Sequence, residues 1–347
     1  MNVYFDNAAT TKMSQVALDA MIPCLENVYA NASSLHTPGQ KSKEVLEKAR
    51  EEIAACIGAQ PNEIYFTSGG SEADNQAIVS AAKWGARRNK KHIISTAFEH
   101  HAVLHTLQKL EKEGYEVTYL DVHENGSIQP IPEIGAICKE KGIYFHTDAV
   151  QAVGHLPINV KEQNIDMMSA SAHKFHGPKG VGFLYARKGI LLSNIIEGGA
   201  QERGKRAGTE NIPAIVGMAA ALKDVLAHQK ENAEKMTALR DRLIEGLLTI
   251  PHSKLNGDRT KRLPGNVNFC FEGIEGESLL LMLDMKGIAA SSGSACTSGS
   301  LDPSHVLLAI RLPHEVAHGS LRLSLSEYNT QEEVDYVLEE LPKIVTY

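Results

Sequence analysis

Residues Glu63–Val79 read EIYFTSGGSEADNQAIV. EIYFT is a short β-rich run ending at Thr67, the turn SGGSEADN carries two adjacent glycines, and the helical AIVSAAKWGARR follows. Strand, glycine turn and helix in that order leave backbone N–H groups free at the turn and aim the positive end of a helix dipole at it, a geometry that holds a phosphate. Glycine turns also serve chain reversal alone, so the segment points to a fold class more sharply than to a ligand.

The pattern extends in both directions. Upstream, Pro38 to Ile57 carries Val45, Leu46, Ala49, Ile53 and Ile57 at helical spacing, with Gly58 placed to cap the end. Downstream come HIIST (92–96), a helix through HAVLHTLQKLEKEG, the strand YEVTYL, a helix around IPEIGAICKEKG and the strand IYFHTD. Such alternation predicts an α/β fold with a mostly parallel sheet. After DMMSAS and VGFLYA, a long helical tract from about Ile212 to Leu248 leads to the polar PHSKLNGDRTKRLPG, which marks a domain boundary nearby. NVNFCF, ESLLLMLDMKG, a short helix near Ser304 to Ile310, SLRLSLS and a final helix from Thr330 read as a smaller α+β lobe. The expected division is a large domain over 12–230 and a small one from 1–11 with 231–347.

The 347 residues are 43% apolar and 22% charged, with a formal net charge of -7, so there is no basic footprint for nucleic acid. MNVYFDNAATTKM has neither export nor transit character, and the apolar AIVGMAAALKDVLA is cut by Lys223 and Asp224. No membrane span and a cytoplasmic location are the expectation. Five scattered cysteines, at 24, 56, 138, 270 and 296, form no CxxC pair, which predicts reduced thiols and no zinc site.

Three segments carry candidate chemistry. In SAHKFHGPKG, Lys174 sits between His173 and an aromatic at a strand's end, where lost solvent favours a neutral amine able to form a Schiff base; a lone loop lysine would look the same. In FHTDAVQ, Asp148 ends a strand at the edge where open α/β sheets bind ligands, and could equally cap the next segment. GAQERGKR has P-loop spacing but ends in Arg206 where magnesium needs Ser or Thr, which argues against an ATPase. A Schiff-base lysine, an acid for a pyridinium nitrogen and a phosphate cup together describe a pyridoxal 5'-phosphate site.

At this point the whole chain resembles the pyridoxal-phosphate cysteine desulfurases of the NifS and IscS type, fold type I enzymes. The blocks that carry it are YFDNAATT, NASSLHTPGQ, FTSGGSEADNQAI, EHHAVL, HTDAVQAVGH, SAHKFHGPKG, GAQERGKRAGTENI and SSGSACTSG, in that order. The resemblance implies that Lys174 carries the cofactor, Asp148 pairs with its ring nitrogen, Gln151 bonds its phenolic oxygen and His100 stacks on the ring and shuttles protons. It implies that Gly70, Ser71, Ser171 and His173 hold the phosphate, with Thr209 reaching across from the second subunit of a homodimer, and that Arg322 clamps the substrate carboxylate. It further implies that Cys296, in the small-residue loop of about 291–300, takes sulfur from L-cysteine as a persulfide, leaving L-alanine, and passes it to an acceptor such as an iron–sulfur scaffold protein. The other four cysteines are expected to be buried small hydrophobes.

The chain departs from that family near 121–130. DVHENGSIQPIPEIGAIC runs directly where relatives carry a further helix, a strand and an asparagine turn beside the cofactor, with the excision expected between Gly126 and Gln129. His123 lies nearest the lost asparagine by position. The lost strand would lie inside the main sheet, so a rearranged fold with reduced or absent activity is one reading; a related lyase or aminotransferase, and a non-catalytic binding subunit, are others. Ala32, Ala200 and Arg311 replace a usual proline, glycine and glycine; Arg311 is expected to disturb a helix end.

Overall fold

The structure is a computed structural model that describes residues 1–122, 128–292 and 303–345. Its strands are β1 (Val3–Tyr4), β2 (Ile64–Thr67), β3 (His92–Thr96), β4 (Glu116–Leu120), β5 (His146–Asp148), β6 (Met167–Ser171), β7 (Gly182–Ala186), β8 (Ser253–Leu255), β9 (Asn266–Phe271), β10 (Ile288–Ala289) and β11 (Ser320–Ser324). The first five long helices are α1 (Gln15–Asn27), α2 (Thr37–Cys56), α3 (Gly70–Ala86), α4 (His101–Lys112) and α5 (Ile131–Lys141). Their limits follow from local chemistry. The Ser14 side chain accepts from Ala17 N to start α1, and α5 stops where Gly142 turns left-handed at φ 62°.

β2, β7, β6 and β5 form one sheet in that order, and β3 with β4 forms another. β5 runs parallel to β6 and β3 parallel to β4, while β7 is antiparallel to both of its neighbours. The expectation of one mostly parallel sheet therefore holds for strand direction apart from β7, but the sheet is divided. The division falls where the sequence predicts a lost strand. It also shortens β5: the expected strand IYFHTD pairs only over His146–Asp148, because among the described residues ladder bonds reach it from β6 alone. On the other side of the break Ile94 of β3 is 57% exposed, too open for the middle of a sheet.

Two apolar cores organise the chain. One joins Ile53 of α2, Phe66, Met168, Phe175, Phe183 and Leu222; the other joins Val3, Phe5, Leu243, Phe269, Leu321 and Val337. The long tract predicted from Ile212 is two helices, Ile212–Ala227 and Gln229–Leu247, broken at His228. The first packs in the first core and the second in the other, so the break sits between them. α3 and α4 carry the β3–β4 sheet through a smaller cluster of Ile78, Ala82, Val103 and Leu107.

The remaining departures resolve individually. Arg311 adopts the left-handed φ of 65°, the conformation that a glycine would take without strain. Ala200 precedes a turn of only four residues, Gln201–Gly204, so the P-loop spacing has no helix behind it. Glu202 is buried there instead, bonding Arg50 at 2.7 and 2.8 Å and accepting from Phe66 N. Cys24 and Cys270 are buried as expected, whereas Cys56 and Cys138 are half-buried.

Candidate active site

The carboxyl ends of β5 and β6 meet the amino end of α3. Gly69 precedes that helix at φ 152°, which suits glycine, and a Cβ on Gly69 would lie 3.4 Å from Ser171 Oγ. A Cβ on Gly70 would come within 2.5 Å of Val150 Cγ2, so only glycine lets the turn approach the strand ends this closely. The N–H groups of Gly70 and Ser71 are first-turn donors without acceptors inside the helix. Ser171 is buried and Ser71 exposed.

Lys174 follows β6 in a single 3-10 turn. Its Nζ donates to Ala8 O at 2.6 Å and Ala9 O at 2.9 Å. Gln151 Nε2 donates to the same Ala8 carbonyl at 3.0 Å. The N-terminal segment is thus a wall of the site: Thr11 bonds His173 O through both N and Oγ1, and His173 Nδ1 meets Thr10 Oγ1 at 3.2 Å. YFDNAATT marked a resemblance in the sequence, yet no position within it was assigned a role; what locates these carbonyls is their contact with residues some 165 positions away.

Asp148 accepts from Val150 N at 2.9 Å, the capping geometry the sequence allows, and also faces the site. It, His100 and Asp74 each bring a polar atom to within 4.8 Å of the others. Asp74 is a residue that the sequence reading missed; its signal is its place one helical turn after Gly70 on the same face of α3. His100 caps α4, accepting from Ala102 N at 3.1 Å. Loss of solvent lowers the His100 pKa, against the attraction of Asp148 and with the help of Lys174. Burial, then the Lys174 and Lys179 charges, push His173 down to about 4, so its ring is neutral near pH 7.

Arg322 lies on β11, joined to the same wall: it donates to Asp6 at 3.1 Å, and its Nε is buried without a partner among the described residues. Thr209 is exposed and lines a cavity of about 170 Å³ with Thr67, Ser68 and Arg206 of its own chain; Lys174 and Asp148 are not in that lining. Cys296, most of its loop and His123 lie outside the described residues. The remaining candidates, from Gly70 to Arg322, therefore form one connected neighbourhood, Thr209 excepted.

This donor set fits pyridoxal phosphate. Helix-start N–H groups and a buried hydroxyl suit a phosphate, a glycine cradle leaves room for it, and an acid suits a protonated ring nitrogen. Fold and site together define a fold type I pyridoxal-phosphate protein. The chain belongs to the aminotransferase class-V family, whose model matches residues 3–129 and 124–337. The match is in two pieces that meet where the sheet is divided. Cysteine desulfurase IscS of Clostridium botulinum strain Hall is 53% identical over 374 positions, covering 99% of this chain and 94% of the relative. That alignment is longer than the chain itself, so the relative carries residues without counterpart here. Cysteine desulfurase IscS of Methanosarcina thermophila is 52% identical over 99% of this chain and 92% of its own. Among solved structures, a NifS-like protein superposes with TM-score 0.93 at 36% identity over the whole of both chains. SspA in complex with cysteine does so with TM-score 0.82 at 34% identity, over 95% of this chain and all of the other.

Proposed function

We propose that this protein is a cysteine desulfurase that uses pyridoxal phosphate to convert L-cysteine to L-alanine, storing the sulfur as a persulfide on Cys296. The observation that carries the reading is the meeting of Lys174, Asp148 and His100 in one site within a chain 53% identical to a cysteine desulfurase. In this reading residues 12–230 hold the cofactor, and 1–11 with 231–347 carry the cysteine loop.

Bound there, the cofactor supplies a ring that accepts the electron pair released at the substrate's α-carbon. The protein's residues do the rest. Lys174 would hold the cofactor, and its amine would be the base that takes the α-proton; the Ala8 and Ala9 carbonyls, which accept from its Nζ, would aim it. Asp148 would pair with the ring nitrogen, Gln151 with the phenolic oxygen, and the start of α3 with Ser171 and His173 would hold the phosphate. His100 would cover the ring and, its pKa lowered by burial, move protons as a neutral imidazole. Arg322 holds the substrate carboxylate. The Cys296 thiolate would attack the sulfur of cysteine, so that the S–S bond forms as the Cβ–S bond breaks; the electron pair of that bond stays with the carbon skeleton, which leaves as alanine after taking a proton at Cβ and regaining one at the α-carbon. The product persulfide fits delivery to a protein acceptor, such as an iron–sulfur scaffold, in the cytoplasm. Thr209 reaches the phosphate of a second subunit in a homodimer.

The divided sheet favours a second reading, slower turnover with the cofactor still bound, since β5 carries Asp148 and among the described residues is paired on one side only. Absorption spectra of the purified protein with pyridoxal phosphate, before and after L-cysteine, combined with alanine measurement, test both. Bound chromophore, alanine release and loss of persulfide in Cys296→Ala support the first; bound chromophore with slow or no alanine release supports the second; persulfide transfer surviving Cys296→Ala rules out the role of Cys296.

A further inference from the structure

Asp74 is 1% exposed, on the face of α3 that packs against β5 and β6. Asp74, Asp148 and His100 each bring a polar atom to within 4.8 Å of the others, and the Asp74 Oδ1 is buried with no hydrogen-bond partner among the described residues. His100 is the histidine that shares this cluster, and loss of solvent lowers its pKa and disfavours its charged form. His146 Nε2 stands 3.5 Å from Oδ1 and already meets Ser169 Oγ at 2.9 Å; burial pushes its pKa down to about 4, so it is neutral. Lys174 and His100 act on Asp148, and the other charged group facing the pair, Glu99, is itself an acid. Two carboxylates in contact in a dry site do not both ionise.

We propose that Asp74 is a positioning residue: a neutral carboxylic acid that donates its proton to a hydrogen bond with the Asp148 carboxylate, keeping that group negative and aimed at the cofactor's ring nitrogen. The polarity of the pair follows from its surroundings. Asp148 has the Val150 N–H, His100 and Lys174 to support a negative charge; Asp74 has one hydroxyl. Burial, and next the Asp148 charge, raise the Asp74 pKa to about 9, in keeping with a proton retained at neutral pH. A donor behind the ring-facing acid saves Asp148 from taking a proton itself, in which state it could no longer attract a pyridinium. The lone acceptor Oδ1 is the cost of placing an acid there, and it is why an amide serves in its place: an asparagine side chain at this position would present an N–H donor to Asp148 and no charge.

The inference rests on the pyridoxal phosphate reading of the site, and its test separates the two. In the apoprotein at pH 7, infrared spectra are expected to show the carbonyl stretch of a protonated carboxylic acid, lost in Asp74→Asn. With pyridoxal phosphate, Asp74→Asn is expected to hold the cofactor within about threefold of the parent, whereas Asp74→Ala, which leaves Asp148 without its donor, weakens binding by about tenfold or more and shifts the pH dependence of the bound chromophore. A band that survives Asp74→Asn, or equal cofactor affinity for the alanine and asparagine variants, overturns the proposal. If the parent protein takes up no cofactor, the reading of the site falls, and the apoprotein band alone still decides whether the carboxyl pair retains a proton.

Discussion

Arg322 on β11 donates to Asp6 Oδ1 across 3.1 Å while its Nε remains buried with no partner of its own among the described residues. The ion pair ties one edge of the guanidinium to the N-terminal segment and leaves Nε without a partner among the described residues, an arrangement that, on the proposed function, a substrate carboxylate would complete. Arg322→Lys loses the fork and is expected to raise KM for cysteine by about tenfold or more, with a smaller effect on kcat. Asp6→Asn, which frees the side chain to turn, raises KM by about threefold. Alanine formation against cysteine concentration measures both.

His176 and Glu327 form a largely buried pair at 3.2 Å that fastens the segment after Lys174 to the chain just after β11. Burial opposes charge on the histidine, yet the bond and charge of Glu327 raise its pKa above the ordinary 6.5; burial likewise opposes the carboxylate, yet His176 holds Glu327 below 4.5. A raised histidine stabilises fully below 6.5 and loses that contribution as pH rises through its folded value. A depressed glutamate stabilises above 4.5 and loses it on further acidification. The pair is therefore worth most between about pH 4.5 and 6.5. Glu327→Gln is expected to cost about 1–3 kcal/mol near pH 5.5 and much less near pH 9, as read by thermal melting at both.

Arg311 occupies a left-handed conformation at φ 65°. Its contact with Asp121 spans 3.5 Å between exposed groups and contributes little. Arg311→Gly relieves the backbone and is expected to stabilise by about 1 kcal/mol, seen as a Tm rise of about 2 °C.

The divided sheet has an exchange signature. Among the described residues, amides of β3 and β5 have ladder partners on one side only, whereas β6 lies between β5 and β7. Hydrogen–deuterium exchange over 92–96 and 143–148 is expected to run about a hundredfold faster than over 167–171. Equal protection would show that another segment covers the open edges.

Much of this molecule is legible in its residues because the relevant signals are local. β-rich runs, the paired glycines before α3 and the left-handed glycine after α5 each act within a few positions, and elements appear where periodicity predicts them. Lys174 and Asp148 are legible for the same reason: each follows a strand whose pattern is visible. The missed elements are long-range. Neither the break at His228 nor the reach of Ala8 and Ala9 to Lys174 has a local mark, and the carboxyl pair of Asp74 and Asp148 joins residues on different elements.

Residue order alone was enough for the family, the succession of strands and helices, the candidate lysine and acid, and the place near 121–130 where the chain is shorter than its relatives. How the chain responds to that shortening emerges only in three dimensions: one sheet becomes two, β5 keeps just its last three residues in register with β6, and Asp148 stands at the resulting edge. The physical reason is that hydrogen bonds along a strand depend on the neighbour that supplies them, and a neighbour in a sheet is a matter of space rather than of sequence.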